Sequence, residues 1–170
     1  MLTEKMLQKL NQQVEKEFFS AYLYLSMEAY LRSINLDGFA NWFQVQLQEE
    51  RYHAMAFYNY IDKVNGKIEL GAIEQPRHDF SSPLEIFELG LEHEQYVTKL
   101  IYDLMDLAIE TKDHTTQIFL QWFITEQAEE EENMTRIINR LKLINADSAG
   151  LFMLDTELAQ RMYVASIIPV

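Results

Sequence analysis

Cysteine is absent from this chain, which excludes disulfides, thiolate metal sites and cysteine nucleophiles together. Glycine and proline are scarce, 5 and 3 among 170 residues, which argues against a turn-rich all-β fold and for long regular segments. Basic residues are outnumbered, with 14 Lys and Arg against 27 Asp and Glu and a net charge of −13. That balance lacks the basic footprint a nucleic-acid partner requires and instead raises the local concentration of cations. No apolar run approaches the roughly 18 residues of a membrane span, so no membrane partner is expected. The opening stretch MLTEKMLQKLNQQVEKEFF is amphipathic and has no apolar core of the secretion-signal kind, and a cytoplasmic location is expected.

What the chain does contain is apolar residues at helical spacing. A hydrophobic share of 48% can fill a sizeable core, and no linker-like stretch divides it. A first helix is predicted from Thr3, as N-cap, to about Ser33, with the stripe Leu7, Leu10, Val14, Glu17, Ala21, Tyr24, Glu28 and Leu31. After a short break a second, capped by Asp37, runs to the stop signal Asn65-Gly66, with Phe39, Phe43, Gln46, Glu50, His53, Phe57 and Tyr60 on one face. Ser82-Pro83-Leu84-Glu85 combines a capping box with proline at the first helical position and opens a third. Its stripe is Phe87, Gly90, Glu94, Val97, Ile101, Leu104 and Ala108. Asp113 caps a fourth, with Leu120, Phe123, Gln127, Glu130, Met134, Ile137, Leu141 and Ile144, and Leu151 to Ala159 reads as a short fifth.

Connection lengths set the topology. The first and third breaks are short, so the helices they join are antiparallel neighbours. The second connection, Lys67 to Ser81, has no helical period and reaches about 50 Å when extended. The second helix needs only about 42 Å. The chain can therefore cross the whole bundle there, leaving the second and third helices parallel: an all-α four-helix bundle with one long crossover and a short fifth helix.

Polar residues interrupt the apolar stripe in all four long helices: Glu17; Glu50 with His53; Glu94; and Gln127 with Glu130. Each lies near the middle of its helix, and midpoints of similar helices meet at one height whichever way each runs. Glu50 and His53, three apart, share a face. Taken singly, each residue reads as a misphased surface carboxylate or a hydrogen-bonded core histidine. Together they describe one buried pocket of four carboxylates, whose mutual repulsion two divalent cations would neutralise. Oxygen-rich ligation with a single imidazole suits iron, and also manganese or adventitious zinc. A shared carboxylate, with Glu50 the candidate, sets two such metals about 4 Å apart. Glu49, Glu126, Glu129 and Glu130 form a second acidic group beside the first, read either as an adjoining cation site or as a solvated helix face.

The segments VEKEFFSAYLYLSM, LQEERYHA, GLEHEQ and FLQWFITEQAEEEE, in that order, resemble the non-haem bacterial ferritins. The resemblance covers residues 1–160 as one ferritin-like di-iron domain and leaves 161–170 as an apolar extension without an assigned role. It implies that Glu17, Glu50 and His53 hold the first iron of a ferroxidase centre, and that Glu50, Glu94, Gln127 and Glu130 surround the second. It further implies a third iron at Glu49, Glu126, Glu129 and Glu130, with Tyr24 and Trp122 as one-electron donors. Two departures separate the chain from relatives. Gln127-x-x-Glu130 replaces the second Glu-x-x-His of the di-iron bundle pattern, and Arg51 stands where bacterioferritins carry a haem-ligating Met, so no haem is expected. The implied function is iron storage and detoxification: Fe²⁺ is oxidised by O₂ or H₂O₂ and stored as ferric mineral inside a homo-oligomeric cage of 24 subunits. The rival readings are a di-iron peroxidase or oxidase without storage, and a non-catalytic helical scaffold.

Overall fold

The computed structural model describes residues 2–168. Its elements are α1 (Glu4–Ser33), α2 (Asp37–Lys63), α3 (Pro83–Glu110), α4 (His114–Ile144) and α5 (Ser148–Leu158), with no strand among the described residues. Three of the expected N-caps close as local hydrogen bonds. Thr3 Oγ1 accepts from Met6 N at 3.2 Å, Ser82 Oγ from Glu85 N at 3.1 Å, and Asp113 Oδ1 from Thr116 N at 3.1 Å. Glu85 completes the cap of α3 by accepting from Ser81 N at 2.6 Å, one residue earlier than the usual box.

Asp37 is not the cap of α2. It is the first helical residue, Leu36 holds the cap position, and no nearby side chain bonds the helix start. The missing acceptor arrives from α5, where Asp155 Oδ1 takes the Phe39 N–H at 3.0 Å. That approach is close: a Cβ on Gly38 would lie 1.7 Å from the Asp155 carbonyl oxygen. At the other ends of α1, α2 and α3 the chain turns through left-handed residues, Asn35 (φ 60°), Asn65 (φ 57°) and Lys112 (φ 55°). The next amide closes the turn in each case, as in Gly66 N to Ile61 O at 2.8 Å.

The long connection runs beside α1 for most of its length. Asn11 Nδ2 donates to Lys67 O at 3.0 Å, Ser26 Oγ donates to Arg77 O at 2.7 Å, and Tyr30 meets Phe80 edge-on at 5.5 Å. Since α1 and α2 are antiparallel, this route returns the chain to the end where α2 began. The helices α2 and α3 are therefore parallel, as the crossover length requires.

Two apolar halves fill the bundle. One contains Met6, Leu10, Val14, Phe57, Tyr60, Ile101, Leu104, Phe119 and Phe123; the other Met27, Leu31, Phe39, Phe43, Phe87, Met134 and Leu141. The stripe of α1 departs from expectation at both ends. Met6 and Met27 are buried in place of Leu7 and Glu28, and Glu28 instead pairs with Arg32 at 2.6 Å. After α5 the chain turns back along α2, and Ile168 is buried in the first apolar half. The apolar extension is thus anchored at Ile168, while Met162, Val164 and Ile167 are exposed; Pro169 and Val170 lie outside the described residues.

Candidate metal centre

A polar layer separates the two apolar halves. Each of the four long helices contributes to it: Glu17 from α1, Glu50 and His53 from α2, Glu94 from α3, and Gln127 and Glu130 from α4. None of the six is more than 3% exposed. Glu17, Glu50 and His53 each offer a ligand atom within 4.8 Å of the others, the one such group of three or more among the described residues. His53 Nδ1 lies 3.6 Å from Glu50 Oε2, while its Nε2 faces Glu126 at 3.9 Å. Nδ1 is therefore the nitrogen turned toward Glu50, and Nε2 the one turned toward Glu126.

Glu94, Gln127 and Glu130 face the same layer but are held by neighbours. Tyr24 OH donates to Glu94 Oε1, and Gln127 Nε2 donates to Glu94 Oε2 at 3.0 Å. Gln46 Nε2 donates to Glu130 Oε2 at 2.8 Å, and Gln13 Nε2 to Glu17 Oε1 at 2.8 Å. Gln46 and Gln13 were not singled out from the sequence. The available signal was position: each lies one turn before a stripe carboxylate, on the same face. Gln46 Oε1 is the buried side-chain oxygen without a partner among the described residues.

Burial governs the proton affinities here. It pushes the Glu17 carboxyl from its ordinary 4.5 up to about 7, against the lowering hydrogen bond from Gln13. Glu50 and Glu130 are raised further, by burial first and then by the charge of Glu94. Glu94 is raised by burial and partly relieved by Tyr24 and Gln127. Burial moves His53 the other way, from 6.5 down to about 4, so its imidazole is neutral and carries a free lone pair at neutral pH. Tyr24 is held well above its ordinary value by burial and by Glu94, and stays protonated.

The second acidic group is looser. Glu49 Oε2 accepts from Arg161 Nη2 at 2.7 Å, Glu126 turns to His53, Glu130 turns to Gln46, and Glu129 is exposed. These four do not converge as Glu17, Glu50 and His53 do. They do sense one another: burial, then Glu129 and Glu49, raise Glu126 to about 7. Trp122 stands edge-on to His53 at 5.4 Å.

Comparison with known proteins identifies the family and the fold. The family model of the ferritin-like domain matches residues 7–144. A bacterial non-heme ferritin of Staphylococcus aureus is 41% identical over 163 residues, covering 96% of this chain and 98% of its own. Among solved structures, an open-pore ferritin of the hyperthermophilic archaeon Archaeoglobus fulgidus superposes with a TM-score of 0.94 at 45% identity, covering 95% of this chain and 100% of that one. An engineered closed form of the same ferritin gives a TM-score of 0.95 at 45% identity, covering 96% and 100%.

Proposed function

Because the chain belongs to the ferritin family, we propose that it takes up Fe²⁺, oxidises it to Fe³⁺ at the polar layer and stores the product. The observation that carries this reading is the buried convergence of Glu17, Glu50 and His53 on one point. A neutral imidazole and two carboxylates that hold protons until a cation displaces them form a reversible site for a hard divalent ion. Glu94, Gln127 and Glu130 face the same layer and form the second iron position, with Glu50 shared between the two.

Two Fe²⁺ bound side by side surrender one electron each to O₂, which leaves as H₂O₂ after taking up two protons. The protein's part is positional. Glu17 and His53 fix the first iron, while the amide of Gln127 gives the second position one charge fewer than a carboxylate there. Fe³⁺ is therefore held less firmly on that side and passes on. Where reduction continues to water, H₂O₂ takes two more protons and two more electrons, one from a third Fe²⁺ and one from Tyr24 or Trp122. Glu49, Glu126, Glu129 and Glu130 form the third iron site on the way out.

Storage requires an enclosed space, which we assign to a shell of 24 copies in the cytoplasm. Its support is the apolar surface that one copy leaves uncovered, including Tyr22 and Leu25 on α1 and Leu70 and Ile73 on the connection. Stopped-flow mixing of anaerobic Fe²⁺-loaded protein with O₂ tests the chemistry. The rapid oxidation phase should be lost in both Glu17→Ala and His53→Ala, and unchanged rates would overturn the reading. Light scattering tests storage: a particle near the chain mass of 20.1 kDa, or twice that, would reduce the protein to a di-iron oxidase without a store.

A further inference from the structure

The chain beyond α5 is held at both of its described ends. Asn41 Nδ2 donates to the carbonyls of Leu158 at 3.1 Å, Ala159 at 3.3 Å and Arg161 at 3.0 Å. Seven residues later Ile168 is buried in the apolar half that also contains Phe57 and Phe123. Between these anchors Arg161 is fixed in three ways. Its guanidinium stacks over the Trp42 ring at 4.5 Å, Nη1 donates to Trp42 O at 3.2 Å, and Nη2 donates to Glu49 Oε2 at 2.7 Å. The Arg161 and Glu49 side chains are only 22% and 21% exposed, so water and salt screen the pair weakly.

The placement is specific to the second acidic group. A guanidinium is always charged and its fork matches a carboxylate, and this one reaches the group whose other members, Glu126 and Glu129, lie on α4. A fixed positive charge within reach of clustered carboxylates performs part of what a bound cation would. We propose that Arg161 is a tethered counter-ion of the third iron site, so that iron takes Glu49 there only by displacing the guanidinium. This rests on reading Glu49, Glu126, Glu129 and Glu130 as that site, and it makes the segment after α5 a regulator of how readily iron leaves the di-iron pair. The competition is local: Glu17, Glu50 and His53 make no contact with Arg161.

Anaerobic Fe²⁺ titration calorimetry on the full-length, chelator-treated protein tests this. Arg161→Gln should leave the site of Glu17, Glu50 and His53 unchanged and tighten the third about tenfold, with Arg161→Lys falling between it and wild type. In wild type, hydrogen exchange of residues 159–168 should rise on adding a third equivalent of Zn²⁺ per chain but not on adding the first two. If Arg161→Gln fails to assemble, Asn41→Ala keeps the guanidinium while loosening its tether and must also tighten the third site. A third Fe²⁺ bound equally well by wild type and variants, with unchanged exchange, would overturn the counter-ion role and leave the third site standing. No third Fe²⁺ in any variant would overturn both.

Discussion

Glu17→Gln should make the metal-free protein more stable at pH 8 and gain far less stability from metal. Glu17 is 1% exposed, and burial raises its carboxyl from 4.5 to about 7. A group whose folded value lies above its unfolded one adds stability below about 4.5 and loses it as the pH climbs through about 7. At roughly 1.4 kcal/mol per tenfold change in proton affinity, ionising Glu17 in the folded protein at pH 8 costs about 3 kcal/mol. Glutamine removes that charge and keeps the local bonds. Its amide oxygen still accepts from Gln13, as Glu17 Oε1 does at 2.8 Å, and its amide hydrogens can donate to Glu50 in place of the proton the two carboxyls share.

For a chain of this size 1 kcal/mol moves Tm by about 2–4 °C, so the chelator-treated variant should melt about 6–12 °C above wild type at pH 8. At pH 4.5 the gap should shrink to about 0.4 kcal/mol, because Glu17 is then protonated in the folded state and half protonated in the unfolded one. Addition of Zn²⁺, a redox-inert stand-in, should raise the wild-type Tm at pH 8 by linkage and move the variant far less. Calorimetric scans at the two pH values, with and without Zn²⁺, read all four differences, and assembly is common to both proteins. A variant no more stable than wild type at pH 8, or a gap of the same size at both pH values, would refute the argument that the buried charge is costly.

Two further substitutions probe the layer and its support. Gln46→Leu removes the donor held 2.8 Å from Glu130 Oε2, together with the unpartnered Oε1. Iron oxidation should slow by about 10–100-fold, as for other groups that orient a ligand, whereas a rate within twofold of wild type would show that Glu130 is oriented without it. Gly38→Ala would drive a Cβ to 1.7 Å from the Asp155 backbone oxygen, so α5 must lift and the Phe39 amide loses its acceptor. Losing that cap costs about 1–2 kcal/mol and should show as faster hydrogen exchange at residues 38–41 and 148–158; unchanged exchange would mean α5 reseats.

What was legible in the residues was whatever repeats locally. Stripes of period 3.5 to 3.6 gave four helices, and their polar interruptions gave the layer, because equal midpoints need no knowledge of packing. The same reading failed at both ends of α1. A seven-residue template is only one of the spacings that keep residues three and four apart on one face, and at two positions the preceding residue fills the inward place, Met6 for Leu7 and Met27 for Glu28. Gln46 was visible as part of a stripe, but an amide carries no charge to flag it. Contacts between distant parts of the chain left no local mark. Asp155 caps α2 from 116 positions away, and Arg161 reaches Glu49 across 112. Asp37 was an ordinary choice of cap by type and position, and lost to a carboxylate that only the folded chain delivers.

The hydrogen bonds within the layer also order the filling of its two sides. Glu17, Glu50 and His53 already lie within ligand distance of one another, and a cation entering there has protons and the single Gln13 bond to Glu17 to displace. On the other side a cation must draw Glu94 away from Tyr24 and Gln127, and Glu130 away from Gln46. Each of those bonds has an ionised acceptor in the loaded state, and such bonds contribute about 1.5–3 kcal/mol apiece. Breaking even one costs about a factor of ten in affinity. On the proposed function, the side built by α1 and α2 should therefore fill first and hold its iron more tightly. The side built by α3 and α4 should fill second and release more readily, and it adjoins Glu126 and Glu129 on the same helix. The donors that keep the buried carboxylates tolerable without metal would thus be the same groups that give the proposed pair its direction, from the Glu17 side toward α4.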